Sequence, residues 1–131
     1  MKTIGLDTST LLDFRLKRKV RLAEIKNLLQ KCLDGKVKIY VPLPVLLETE
    51  WVLRSFYKHD KSKIVYFLNE LLLIPILTTN KKEEFKFALN LYSQSSQVGF
   101  TDCLIAVQTH NQKCDGFLTS DKHLRDLYNS L

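Results

Sequence analysis

The sequence predicts an α/β fold, a three-layer α/β/α sandwich around a short-stranded central parallel sheet. Two observations point there. Short, mostly apolar β-type segments alternate with longer segments whose apolar residues recur at helical spacing. The bulk composition agrees: 131 residues, 45% hydrophobic and 26% charged, suit one domain, 1–131, with one core.

The elements follow in order. KTIGL at 2–6 is a β-type segment that ends at Asp7. Within 22–33, Ile25, Leu28, Leu29 and Cys32 fall at i, i+3, i+4 and i+7, the signature of a helix, and Gly35 stops it. VKIYV at 37–41 is a second strand. Pro42 and Pro44 then permit a helix start, and VLLETEWVLRSFY continues it. Asp60 is placed as an N-cap, with Ile64, Phe67, Leu68, Leu71 and Leu72 forming the apolar stripe behind it. IPIL at 74–77 is a third strand. Asn80 followed by Glu83 makes a capping-box pattern, and Phe85, Ala88, Leu89 and Tyr92 supply the apolar face of that helix. SQSSQVG at 93–99 is a polar loop. A helix runs from near Asp102 to about Asn111, DGFLTS at 115–120 holds a fourth strand, and DKHLRDLYN closes the chain as a helix.

Several classes are disfavoured. No apolar run approaches the roughly 18 residues of a membrane span, and the apolar start is too short for a signal peptide. Cys32, Cys103 and Cys114 are odd in number and lack CxxC spacing, so they read as small buried hydrophobes in a reducing compartment, and the expected location is cytoplasmic. The formal charge is +6, and nine basic residues against two acidic ones lie between Arg15 and Lys38. The densest part is RLKRKVR, with Arg15, Lys17, Arg18, Lys19 and Arg21. Such a patch attracts nucleic acid or an acidic protein, and it also describes a solvated helix face.

Four carboxylates carry the chemistry. Asp7 follows the first strand directly, and Asp121 follows the fourth with Ser120 between. Asp102 sits in the first turn of a helix, and Glu48 lies about two turns into the helix after the second strand. Taken singly, each has a plain role as a helix cap, a partner of the helix dipole or a surface residue. Carboxylates gathered at one sheet edge repel unless protons or cations intervene, and Mg²⁺ or Mn²⁺ prefers such oxygen ligands. That arrangement suits phosphodiester hydrolysis. His59, His110 and His123 are scattered without zinc-motif spacing, and there is no P-loop signature. A phosphatase of the haloacid-dehalogenase type would want Asp two residues after Asp7, where Ser9 stands.

IGLDTSTLL at 4–12, VPLPVLLETEWVL at 41–53, FTDCLIA at 100–106 and FLTSDKHL at 117–124 together resemble the PIN-domain family, specifically its VapC-type toxin ribonucleases. The resemblance spans nearly the whole chain. It implies a metal-dependent endoribonuclease with Asp7, Glu48, Asp102 and Asp121 as the acidic, metal-binding set. It makes Ser9 the polar position after the first Asp and Thr119 the hydroxyl position before the last. It favours Glu48 over Glu50, which points nearly the opposite way on a helix. Asp115 and Asp126 match no family position. The basic stretch 15–21 would guide the RNA backbone. A cognate antitoxin would cover the acidic pocket with a basic side chain, and a homodimer is implied, with the helices near 60–73 and 81–92 as its surface. Two other readings stand beside this one: a non-catalytic RNA-binding or protein-docking module, and a DNA-directed nuclease using the same site.

Overall fold

A computed structural model of the protein describes residues 1–74 and 77–131. The chain divides into two compact units, residues 1–80 and 81–131. The first holds β1 (Lys2–Gly5), α1 (Thr8–Arg15), α2 (Lys19–Leu33), β2 (Val37–Tyr40), α3 (Leu43–Ser55), α4 (Lys61–Leu73) and β3 (Leu77–Thr78). The second holds α5 (Lys82–Gln94), α6 (Phe100–Asn111) and α7 (Lys122–Asn129).

The sheet of the first unit is parallel, in the order β1-β2-β3. Lys2 pairs with Val37 and Gly5 with Tyr40, while Ile39 pairs with Leu77 and Tyr40 with Thr78. The ladder continues past the strands, with Leu6 N–H donating to Tyr40 O (3.0 Å) and Val41 N–H to Thr78 O (2.9 Å). Period-two alternation buries Val37 and Ile39 of β2 and leaves Lys38 exposed. Leu11 and Leu12 of α1, Ile25 and Cys32 of α2, Leu46 and Leu53 of α3, and the α4 stripe of Ile64, Phe67, Leu68, Leu71 and Leu72 complete this core. Pro44 sits in the first turn of α3, where a missing N–H leaves no helical bond unmade.

In the second unit, Phe85 meets Phe100 edge-to-face at 5.0 Å, and Tyr92 lies 5.5 Å from Phe100. Ala88, Leu89, Cys103, Leu104, Ala106 and Val107 fill the remaining space between α5 and α6. Ser95 Oγ accepts from the backbone N–H groups of Gln97 and Val98, which fixes the turn in the polar loop.

Several expectations are corrected. Residues 115–120 form no strand. Thr119 O accepts from Arg125 Nη2 (2.6 Å), and Thr119 Oγ1 accepts from Asp121 N–H (3.1 Å). These local bonds turn the chain into α7 instead of aligning it with a neighbour, and Leu118 is fully exposed. Asp60 takes the N-cap position of α4 as expected, but it caps through its carbonyl, which serves Lys63 and Ile64, and not through its side chain. The capping box at Asn80 and Glu83 does not form, since Lys81 takes the N-cap position at φ 58°. The Asn80 side chain accepts from Tyr40 OH (2.9 Å). Cys32 and Cys103 are buried, and burial pushes the Cys32 thiol up, but Cys114 is exposed. The expected strand at 74–77 falls partly on 75–76, outside the described residues; β3 starts at Leu77. Among the described residues, no helix is long and apolar enough to cross a membrane.

Candidate metal centre and basic patch

Asp7 leaves β1 through Leu6 and caps α1. Its Oδ1 accepts from Ser9 Oγ (2.9 Å), Thr10 N–H (3.0 Å) and Thr10 Oγ1 (3.0 Å). The Thr10 backbone N–H, then the Ser9 and Thr10 hydroxyls, hold the carboxyl below its ordinary value of 3.8. All of these bonds fall on one oxygen. The residue is exposed and stays ionised at neutral pH.

Helix α1 packs against α3, and the two frame an open cavity of about 410 Å³. Asp7, Thr8 and Ser9 line it from α1; Pro44, Val45 and Glu48 line it from α3. The rotation of α3 explains the choice between its two glutamates. Leu46, Thr49, Glu50 and Leu53 form its buried face. Glu50 is 1% exposed and receives Arg54 Nε at 2.7 Å and Nη2 at 3.5 Å, one helical turn on. Glu48, 200° round the helix from Glu50, is turned to the cavity and to solvent.

Asp102, Thr119 and Asp121 belong to the second unit. Asp102 is half-buried in the first turn of α6, with Cys103, Ala106 and Val107 buried behind it. Asp121 caps α7 and accepts from Leu124 N–H at 3.1 Å, while Thr119 Oγ1 accepts from its own N–H. Among the described residues of either unit, no three His, Cys, Asp or Glu side chains gather as one metal-holding group. The first unit thus brings Asp7, Ser9 and Glu48 to one cavity. Two carboxylates there, one braced at a single oxygen, are hard donors of the kind that suits Mg²⁺ or Mn²⁺.

The basic stretch is less free than its sequence suggests. Arg18 Nη1 bonds Asp13 Oδ1 at 2.9 Å, its Nη2 donates to Tyr57 OH, and its guanidinium lies 5.9 Å from the Tyr57 ring. Arg21 Nε stands 3.9 Å from Asp13 Oδ2. The Arg15 guanidinium covers the Phe67 ring at 5.6 Å. Lys17 and Lys19 are exposed. Two contributors escaped the sequence reading. Thr10 gives Asp7 two of its bonds, and its place three residues after a cap was the available signal. Asp13 pairs with Arg18 and stands near Arg21 across a turn, a relation that helical spacing does not foretell.

The chain is 28% identical over 103 residues to a VapC ribonuclease of Aquifex aeolicus (strain VF5), covering 79% of this chain and 76% of that protein. The PIN domain family matches residues 4–129, from β1 through α7 and across all four carboxylates, so the chain belongs to the PIN domain family.

Proposed function

We propose that residues 1–131 act as one nuclease domain, a divalent-metal-dependent endoribonuclease that works in the cytoplasm as the toxin of a toxin–antitoxin pair. The observation that carries this reading is the Asp7 carboxylate, ionised, braced by three donors on Oδ1 and set beside Glu48 in an open cavity. A plain helix cap needs one such bond and no second carboxylate. The name of the Aquifex relative, a VapC ribonuclease, supports RNA as the substrate.

Asp7 and Glu48 would hold Mg²⁺ or Mn²⁺, and the family resemblance adds Asp102 and Asp121 as further ligands. When bound, such a cation supplies Lewis acidity, easing the deprotonation of water and offsetting charge on the scissile phosphate. The protein's own residues prepare the site. Ser9 and Thr10 keep Asp7 ionised and fix its orientation, as the partners of metal ligands commonly do. Thr119 orients the backbone at Asp121. Lys17 and Lys19 attract the RNA backbone, with Arg15, Arg18 and Arg21 shaping the turn that carries them. The antitoxin covers the acidic cavity with a basic side chain. A homodimer uses α4 and α5, which expose Tyr66, Leu73 and Phe87.

The test is incubation of total cellular RNA with the purified, antitoxin-free protein and Mg²⁺ or Mn²⁺, with new RNA ends mapped by sequencing. Discrete ends that vanish with EDTA and with Asp7→Asn are expected. No new ends from folded protein would move the assignment to a non-catalytic binding module. Parallel digestion of single-stranded DNA separates a ribonuclease from a DNA-directed enzyme.

A further inference from the structure

The face of α3 that carries Glu48 also carries Trp51. Pro44, Glu48 and Trp51 fall at i, i+4 and i+7, one solvent-facing stripe opposite the buried face of Leu46, Thr49, Glu50 and Leu53. Pro44 and Glu48 line the cavity with Asp7, so the stripe runs out of that cavity along the helix. Trp51 stands one turn beyond Glu48, an axial step of about 4.5 Å. The residue is 57% exposed. Tryptophan is the largest apolar side chain, and a well-packed helix face ordinarily keeps it mostly covered. Glu50 and Arg54 lock the rotation that presents it, because turning α3 to bury Trp51 would withdraw Glu50 from the core.

We propose that Trp51 is a stacking platform for an unpaired base of the RNA substrate, one nucleotide away from the scissile phosphate. This rests on the ribonuclease reading above. The occupant follows from position and chemistry. A strand whose phosphate lies between Asp7 and Glu48 passes over the next turn of α3, where the exposed indole offers a flat π-face to a base. Stacking of this kind tolerates any base but requires an unpaired one. The platform therefore selects single-stranded or loop RNA, and helical RNA, whose bases are already stacked, gains nothing from it. Trp51 sets substrate class through binding and touches no reacting atom.

Trp51 is the sole tryptophan of the chain, so its fluorescence reports the platform directly. The first readout is titration of the Asp7→Asn protein with short single-stranded RNA of mixed sequence in Mg²⁺, and with the same RNA annealed into duplex. Quenching by the single strand and not by the duplex is expected. The second readout is steady-state cleavage. Trp51→Ala should raise KM roughly tenfold or more while kcat stays within about twofold, and Trp51→Phe should recover most of the loss. Melting curves for both variants should match wild type, since the ring is exposed. Fluorescence unchanged by saturating single-stranded RNA, or a wild-type KM in Trp51→Ala, overturns the proposal. So does Trp51→Ala that cleaves normally but no longer holds its antitoxin, which would assign the ring to a protein interface. A wild-type protein that cleaves nothing defeats the ribonuclease reading instead, while the fluorescence arm still decides whether the indole meets RNA.

Discussion

The two ends of α1 carry opposite charge, and local bonding uses that charge in opposite ways. At the N-terminal end, Ser9 and Thr10 direct three donors to one oxygen of Asp7, which lines a cavity together with Glu48. At the C-terminal end, Asp13 and Tyr57 engage Arg18, Asp13 lies near Arg21, and the Phe67 ring takes the Arg15 guanidinium. One cluster of bonds keeps a carboxylate ionised at the edge of a cavity; the other ties charge to partners that hold a turn. Counting charged residues does not separate these uses. The geometry of the partners does, and substitutions at each end should fail in different assays.

The largest effect belongs to the acidic end. Asp7→Asn keeps the shape and an oxygen to cap α1, so the melting temperature should hardly move, since Asn caps as well as Asp. Cleavage should fall by at least about 100-fold, more than the 10- to 100-fold expected for the supporting Ser9→Ala. RNA cleavage rates and melting curves on the same preparations check this. Full activity in Asp7→Asn would reduce that end of the helix to a plain cap. The pH dependence follows from the direction of the shift. Asp7 titrates below its ordinary 3.8 in the folded chain, because the Thr10 N–H and then the two hydroxyls favour the anion. Its contribution to stability is therefore present above that ordinary value and is lost as pH falls through the lower, folded value. The stability difference between wild type and Asp7→Asn should shrink in acid and be constant from neutrality upward. Solvent at this exposed carboxyl keeps the difference small.

The basic end should separate within itself. Arg18→Ala removes a half-exposed ion pair and the bond to Tyr57, a loss of about 0.5–1 kcal/mol in stability. The salt dependence of RNA binding should barely change, because that charge already faces Asp13. Lys19→Ala should do the reverse, leaving stability unchanged and lowering the slope of log affinity against log salt by about 0.7, one single-strand phosphate contact. Binding measured across a salt series, beside urea melts, tests both. Equal slopes for the two variants would erase the distinction between anchored and available cations.

These particulars show what the sequence made legible. Helical spacing located the apolar faces of α2, α4 and α5, because burial of one face is the strongest constraint on a helix. The position of Asp7 directly after a strand, at the start of α1, was legible as well. Which of Glu48 and Glu50 faces outward was not legible from periodicity, since apolar residues surround much of α3; in the structure the Arg54 bond holds Glu50 inside and Glu48 lines the cavity. The caps were half legible. Asp60 does take the N-cap of α4, with extended backbone but no side-chain bond, whereas in α5 the backbone places Lys81, not Asn80, at the junction. The stretch at 115–120 looked like a strand by composition, yet a strand needs a partner, and Thr119 makes its bonds to α7.

The smallest effect tests the turn itself. Lys17 follows α1 at φ 54°, the left-handed region where a side chain costs about 1 kcal/mol and glycine is at ease. Its N–H donates to Phe14 O (3.2 Å), and the next N–H, of Arg18, reaches back to Asp13 O (2.9 Å). Lys113 follows α6 at φ 56°, and its N–H donates to His110 O (3.0 Å), so the two lysines occupy like places in the two units. Lys17→Gly and Lys113→Gly should each stabilise the protein slightly, by up to about 0.5 kcal/mol, the relief of strain less the added freedom of the unfolded chain. Their effects on RNA should differ. If Lys17 guides the substrate, its loss lowers the salt slope of RNA binding, and Lys113→Gly leaves that slope alone. A nucleic-acid role at the basic end thus predicts one variant that is more stable yet binds RNA less tightly, beside another that is only more stable. Should both raise stability and neither alter binding, Lys17 is a helix terminator and its charge serves only the carbonyl end of α1.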